Sequence, residues 1–332
     1  MLSYIARRVL IMVPTLIAIS AIVFIIIQLP PGDYLSTMMN EMQSQGEHVD
    51  PAKIEFLRQQ YGLDQPPIIQ YFRWVLGLLQ GDMGWSFEYN VPVSTLIGQR
   101  LFLSFLVAFT TLLFTYVVAF PIGVYSATHQ YSWGDYSLTF VGFIGIATPS
   151  FLLALVLLYF ANVYFGLSIG GLMDDHYLGQ PMSWGKFVSV LEHLWIPVVV
   201  LGTSSTAEMI RLLRANLLDE LQKQYVVTGR AKGLPAGRLL VKYPLRMALN
   251  PFIADIGSIL PHLISGSAIV SVVLSLPTNG PMLLRALQSQ DMYLAGSFVM
   301  LEAVLVVVGV FVSDLALAAL DPRIRLQGGA TR

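Results

Sequence analysis

Apolar and polar positions alternate along this chain in long blocks. Six apolar blocks stand out, at about residues 9–29, 102–124, 140–165, 194–213, 251–276 and 294–320. A bilayer core needs about 20 mostly apolar residues per helix. Each block is therefore read as one membrane-spanning helix, with some excess length for tilt. Arg7 and Arg8 precede the first block and resemble the charged start of a signal peptide. The apolar run is too long for a cleaved signal, and Pro30-Pro31-Gly32 replaces a small-residue cleavage site, so the block is read as a retained span. Pro121, Gly123, Pro149, Pro197 and Pro261 interrupt the blocks and predict packing kinks.

The polar segments set the orientation. Lys and Arg collect at the N-terminus, over residues 211–246, and at Arg323, Arg325 and Arg332. Six spans put these three regions on one side, which the positive-inside rule makes the cytoplasm. The expected organisation is a cytoplasmic N-terminus and first helix over 1–29 and an extracytoplasmic loop over 30–100. A five-helix core over 101–332 follows, with a cytoplasmic loop at 217–250. Within the outer loop, residues 51–61 read as a short amphipathic helix with Ile54, Leu57 and Tyr61 on one side. A second outer segment, about 168–192, holds Asp174, Asp175, His176 and Trp184.

Composition agrees with the blocks. Hydrophobic residues make up 55% of the 332 and charged residues 12%, about half the share in soluble domains. The fold class expected is an all-α polytopic membrane protein. A net charge of −1 removes the bulk basic signature of nucleic-acid binding, and the absence of cysteine removes disulfides and thiol chemistry. No phosphate-cradling Walker loop, zinc-binding H-E-x-x-H or nucleophile elbow occurs. Catalytic and metal-ligating residues are therefore expected to be none. Asp174-Asp175-His176 reads as a solvated loop, and the five histidines are scattered, with only His262 inside a block. Charges inside blocks are Glu208, Asp255, Glu302 and Asp314. A charge in a bilayer is costly and marks a functional position by default. Glu208 and Asp314 lie near block ends and suit anchoring. Glu302, the deepest, and Asp255 are the candidates for a translocation path.

The 217–250 loop is the most informative segment. Asp219 is read as an N-cap, with a helix running to Lys232 and ending at Gly233. Pro235 suits the start of a second short helix. Gly229, Ala231 and Gly233 would let another backbone approach closely, and Arg230 and Lys232 flank them with positive charge. That pattern suits docking into a partner's groove. A basic loop on anionic headgroups is the other reading.

Gly229-Arg230-Ala231-Lys232-Gly233-Leu234 resembles the coupling-loop motif of ABC importer permeases, in the form used by the peptide/opine/nickel permease family. Leu245-Arg246-Met247-Ala248-Leu249-Asn250-Pro251 resembles its continuation. Tyr61-Gly62-Leu63-Asp64-Gln65-Pro66, Gln70-Tyr71, Gly81-Asp82-Met83-Gly84-Trp85-Ser86 and Leu320-Asp321-Pro322-Arg323 resemble further family segments, in order. Within that family the pattern resembles the dipeptide/oligopeptide B-type subunit. One stretch departs from the pattern: Ser271-Val272-Val273-Leu274-Ser275-Leu276-Pro277-Thr278 lacks the family's acidic residue and its Pro-Gly turn.

The resemblance implies a type I importer half-pore and an inner-membrane location with both termini cytoplasmic. It implies a second permease subunit, usually different, two ATP-binding subunits, and an extracytoplasmic substrate-binding protein. ATP and Mg would be used by the partners, with no cofactor on this chain. Tyr225, Gly229, Arg230, Ala231, Lys232, Gly233 and Leu234 become the expected ATPase-coupling residues. Tyr61, Asp64, Asp82 and Trp85 become the expected receptor contact or gate. A peptide is the expected cargo, and the uncharged 271–278 stretch keeps an oligosaccharide, glycoside or opine open. A secondary transporter or channel, and an intramembrane enzyme, are the other classes compatible with the hydropathy. The first often shows internal repeats, which are not seen, and the second needs a paired nucleophile and base within the spans.

Overall fold

The structure is a computed structural model that describes residues 2–29, 32, 34–44, 52, 55, 56, 58, 59, 62–166, 170–177, 180, 183–250, 252 and 268–320. Tyr61, Ile54, Leu57, Asp255, Pro261 and His262 lie outside the described residues, as do most of the fifth apolar block and the segment after residue 320. Two units emerge, each built from separate stretches of sequence.

The first unit comprises Met1–Leu103 and Thr278–Val308. Helix α1 (Leu2–Gln28) carries Pro14 without breaking. It is followed by α2 (Tyr34–Ser44) and α3 (Pro67–Leu79), the latter opened by Pro66 and Pro67. A two-stranded antiparallel hairpin, β1 (Trp85–Ser86) and β2 (Val91–Pro92), leads into α4 (Val93–Thr128). Val93, Leu96 and Ile97 pack on Met282, Leu294 and Phe298. These come from two late helices (Asn279–Gln288 and Met292–Leu320), named α12 and α13 below.

Asp291 organises the hairpin end of this unit. It is wholly buried. Its carboxylate accepts from Ser86 Oγ (2.6 Å), from the Glu88 N–H (3.2 Å) and from the Leu294 N–H (3.2 Å), the last capping α13. Burial pushes its pKa up, and the three donors oppose that shift. A raised folded-state pKa stabilises the fold below the unfolded value and is lost as pH rises through the folded value. The expected result is that wild type gains stability on acidification relative to Asp291→Asn, whose amide does not titrate. Parallel thermal melts across the acidic range check this, and a difference that stays flat with pH refutes it.

Gly84 makes the hairpin possible. It sits at φ +82°, and a Cβ there would come within 2.6 Å of the Tyr293 ring. Gly81 has the same φ but open space around it. Gly84→Ala should therefore cost about 2–4 kcal/mol, from backbone strain and a collision together. Gly81→Ala should cost only the strain, about 1–2 kcal/mol. Thermal unfolding of the two variants side by side decides it, because equal losses would mean the Tyr293 contact is unimportant.

The second unit comprises Ser104–Pro277 and Gly309–Arg332. Its described helices are the rest of α4, α5 (Trp133–Ala147), α6 (Ser150–Phe165), α7 (Trp184–Leu221), α8 (Gln224–Ala231), α9 (Ala236–Lys242), α10 (Pro244–Ala248) and α11 (Ala268–Val273). The rest of α13 also belongs to it. Helix α7 is the spine, with α5, α6 and α10 packed along it. Small residues set the spacing: a Cβ on Gly202 would meet the Phe114 ring at 2.7 Å, and one on Gly123 would meet Leu213 at 2.9 Å. The Leu274 carbonyl accepts from the Gly171 N–H (2.7 Å), which ties the second polar segment to the end of α11.

The third apolar block, 140–165, is not one straight helix. Helices α5 and α6 break at Thr148-Pro149 and bend by 100°. Pro149 has no N–H and crowds the residue before it, and Thr148 is accordingly extended (φ −82°, ψ 120°). The fourth block is the middle of a longer helix, α7, which carries Pro197 internally. Among the described residues, four helices are long and apolar enough to span: Ile5–Gln28, Val93–Thr128, Trp184–Leu221 and Met292–Ala318. The bent pair would add a fifth, and this is compatible with six.

The start of α5 holds a partly buried ion pair, with the carboxylate covered and the guanidinium about a quarter exposed. The Arg214 side chain, on α7, donates from Nε and Nη2 to both Asp135 oxygens, each at 2.9 Å. Asp135 is 2% exposed and also accepts from the Tyr131 N–H (3.0 Å), while its own N–H donates to the Ser132 hydroxyl. Ser132 and Asp135 thus form a capping-box-like N-terminus that clamps α5 onto α7.

Candidate functional site: the loop after helix α7

Helix α7 continues through Asp219 and stops at Leu221, so Asp219 is not the N-cap of the following helix. The reason lies in burial. Leu213 and Leu217 face Leu245 and Ala248, and that apolar stripe carries the helix past the polar residue. The chain then turns at Gln222 and Lys223. Extended Lys223 (φ −68°, ψ 148°) takes the N-cap position of α8 without a side-chain cap. Pro235 likewise occupies the N-cap of α9 rather than its first turn.

Helix α8 has two faces. Val226 and Gly229 are buried, against a fully covered Leu239 of α9. Tyr225, Val227, Thr228, Arg230, Ala231 and Lys232 are exposed. The helix ends by a Gly233 N–H bond to the Arg230 carbonyl (2.9 Å) and a Leu234 N–H bond to the Gly229 carbonyl (3.2 Å). That closure needs Gly233 in the left-handed region, at φ +74°, while nothing lies within 4 Å of where its Cβ would be. Leu234 is half-buried beneath the turn. The Tyr225 hydroxyl donates to Glu220, its ring lies 6.3 Å from that of Tyr243, and the Lys242 ammonium stands 5.2 Å over the Tyr243 ring. Although the residue is exposed as a whole, partial desolvation of its hydroxyl, with Glu220 beside it, pushes the Tyr225 phenol up. The result is a short rigid helix, packed from beneath, that presents Arg230, Ala231 and Lys232 outward. Such a surface can bind a partner.

The other sequence-derived candidates lie elsewhere. Glu302 is half-buried on α13, ten residues beyond its start at Met292, and Asp314 is half-buried further along. Glu208 is exposed on α7. Asp64 and Asp82 are exposed, and the Asp82 carboxylate accepts from the Gly84 N–H (2.9 Å), which shapes the turn into β1. The Trp85 indole is exposed and donates to Asn90 (3.3 Å). Gln70 and Tyr71, noted only as family-like, prove to be packing residues. Gln70 donates to the Gln65 carbonyl (2.8 Å), and the Tyr71 hydroxyl is 2.9 Å from Ser20 Oγ. In the second polar segment, Ser189 donates to Asp174 (2.7 Å), and buried His193 stands 3.8 Å from the same carboxylate. Among the described residues no group of three His, Asp or Glu could hold a metal ion.

Two buried carboxylates escaped the sequence reading, Asp135 and Asp291. Ser132-x-x-Asp135 was a legible cap signal, but its partner Arg214 lies 79 positions away. Asp291 lies just before an apolar block, and Ser86 is 205 positions away.

Comparison with known proteins gives the family. Residues 119–326 match the family described as binding-protein-dependent transport system inner membrane component, and residues 1–108 match the N-terminal family of the same membrane components. The chain is 35% identical over 325 residues to the oligopeptide transport system permease protein AppB of Bacillus subtilis, covering 98% of this chain and 99% of that one. It is 32% identical over 328 residues to a putative peptide permease protein of Brucella ovis, covering 98% and 100%. It is 28% identical over 341 residues to the dipeptide transport system permease protein DppB of Escherichia coli, covering 98% and 99%. The chain belongs to the family of inner membrane components of binding-protein-dependent transport systems, the multi-pass permease subunits of ABC importers whose ATPase resides in separate subunits.

Proposed function

We propose that this permease forms half of a peptide translocation path in the bacterial inner membrane. A second permease subunit would supply the other half, and a binding protein would deliver cargo at the outer face. Both termini and helices α8–α10 face the cytoplasm in this reading. The observation that carries it is α8, buried beneath by Val226 and Gly229 and exposed along Arg230, Ala231 and Lys232. Two ATPase subunits, which bind ATP and Mg, dock there and on the equivalent helix of the partner. Their closure tilts the spans and switches access between the two sides, a rigid-body rocking. The names of the relatives support peptide as the cargo class. Glu302 is the described candidate for the path. Asp64, Asp82 and Trp85 are the described candidates for receptor contact.

The test is gentle purification of the tagged chain from its native membrane, with mass spectrometry of what accompanies it. Two ATPase subunits, a second permease and a receptor that binds oligopeptides are expected. A receptor selective for a sugar or opine overturns the cargo assignment. A permease purified without ATPase subunits, yet unaffected by mutation of α8, overturns the docking role.

A further inference from the structure

Helix α3 belongs to a polar connecting segment by position, yet its composition is that of a membrane helix. Its 13 residues, Pro67–Leu79, include one charge, Arg73. One face is packed on α1 through Trp74, with Val23 and Phe24. The opposite face is also apolar, and none of the described residues covers it: Ile68, Phe72, Leu76 and Leu79 are between 55% and 79% exposed. Helix α3 is thus apolar over most of its circumference, with Gln70 and Arg73 confined to one edge, and an apolar face left over in this way belongs in a core or in a membrane.

The level at which α3 meets α1 gives the second, independent observation. Gln70 pairs with Gln28, the last residue of α1 (3.1 Å). The next residue, Tyr71, pairs with Ser20, and its ring stacks edge-on against Phe24 (5.4 Å). Ser20 lies eight residues inside the end of α1, about 12 Å along the axis. It is within the run Ile5–Gln28, which is long and apolar enough to span a bilayer. Helix α3 therefore runs down beside the C-terminal part of that apolar run. Leu78 and Leu79 share with Val13 and Ile17 of α1, and with Met300 of α13, a groove of about 450 Å³. Val13 and Ile17 are exposed on a spanning helix, so this groove continues the surface that α1 presents to lipid. Arg73 does not contradict the placement: its guanidinium lies back against Gly62, on the polar side of α3.

We infer that α3 is embedded in the bilayer leaflet at the C-terminal end of α1, with Ile68, Phe72, Leu76 and Leu79 against lipid acyl chains. In the orientation proposed above this is the outer leaflet, and the embedding itself does not depend on the cargo. The segment between the first two spans is thus not a wholly aqueous loop, and what it offers a receptor is the polar residues on either side of α3, among them Asp64, Asp82 and Trp85.

The chain has no cysteine, so single nitroxide labels can be placed directly. Phe72→Cys and Leu76→Cys remove only exposed side chains, and Asp64→Cys serves as an aqueous reference. Each is spin-labelled in the assembled transporter in phospholipid vesicles. Collision with oxygen, which partitions into hydrocarbon, is compared with collision with a water-soluble nickel chelate. Labels at 72 and 76 should favour oxygen by about fivefold or more relative to the label at 64. Preferential collision with the nickel chelate would place this face in water or against the receptor and overturn the inference. Protection from both probes would mean that protein, such as the second permease, covers it, and would equally overturn it. Neither outcome bears on peptide uptake or on ATPase docking, so the inference and the functional proposal fail separately.

Discussion

Gly233→Asp is expected to leave the permease folded in the membrane while uptake falls by more than tenfold and ATP hydrolysis by the complex continues. Within this chain the substitution is mild. No atom lies within 4 Å of the added Cβ, and the position is exposed. The left-handed backbone at φ +74° costs a non-glycine residue roughly 1–2 kcal/mol, and less for Asp or Asn, which visit that region more readily. A large loss of transport would therefore arise outside the chain, where an ATPase surface meets the turn beside Arg230 and Lys232. A tenfold change corresponds to about 1.4 kcal/mol of docking or coupling energy. Gly233→Asn separates the causes, since it matches Asp in backbone tolerance and size but carries no charge. Loss in both variants means that bulk at the turn is not tolerated. Loss in Asp alone means that the added negative charge offends the partner. Wild-type uptake by Gly233→Asp, at equal membrane abundance, would sink the docking role of α8.

The second large effect lies in the pair Asp135–Arg214. Arg214→Met is expected to destabilise the α5–α7 contact by about 3–5 kcal/mol, because it strands a carboxylate that is 2% exposed. The Tyr131 N–H and the Thr139 hydroxyl would remain near Asp135, but neither carries charge. Replacing both residues together, Asp135→Leu with Arg214→Met, should restore much of that loss, since desolvation of two charges is then avoided. Arg214→Lys should fall between, because the paired contacts at 2.9 Å use the guanidinium fork, which an ammonium cannot reproduce. A double-mutant cycle by thermal unfolding measures the coupling directly. Additive losses below about 1 kcal/mol would show that the clamp is ornamental to the fold. Helix α7 leads into the turn at Gln222 and Lys223 that carries α8, so a clamp on α7 fixes the base from which α8 is presented.

The departing stretch 271–278 shows how an unusual sequence can still be orderly. Ser275 adopts φ +51° after α11, and the Leu276 N–H bonds back to the Ser271 carbonyl (2.8 Å). The helix is thus closed by a left-handed serine where a glycine is more common. Nothing in that geometry selects between a peptide and a neutral sugar. The cargo assignment leans on the relatives for that reason.

Much of this protein was written along the chain. Long apolar blocks dictate spanning helices because water cannot satisfy a backbone inside lipid, and that rule needs no knowledge of neighbours. The glycine closing α8 was legible for a similar reason: helix ends are local, and Gly233 followed by Leu234 and Pro235 leaves few alternatives. Local signals failed where burial overruled them. Asp219 looks like a cap, but the Leu213–Leu217 stripe had a core to fill and drew the helix onward. Pro149 looked like a kink within one span, and its effect on Thr148 instead broke the helix by 100°. The roles of Asp135 and Asp291 depended on partners far away in sequence, which no window of residues contains. The level of α3 along α1 depended on which turn it meets, through Tyr71 and Ser20. Hydrophobicity and caps act over a few residues, so sequence alone determined which segments are helical and apolar. Ion pairs, close helix contacts and the level at which α3 meets α1 arise between segments, so only the tertiary structure decided them.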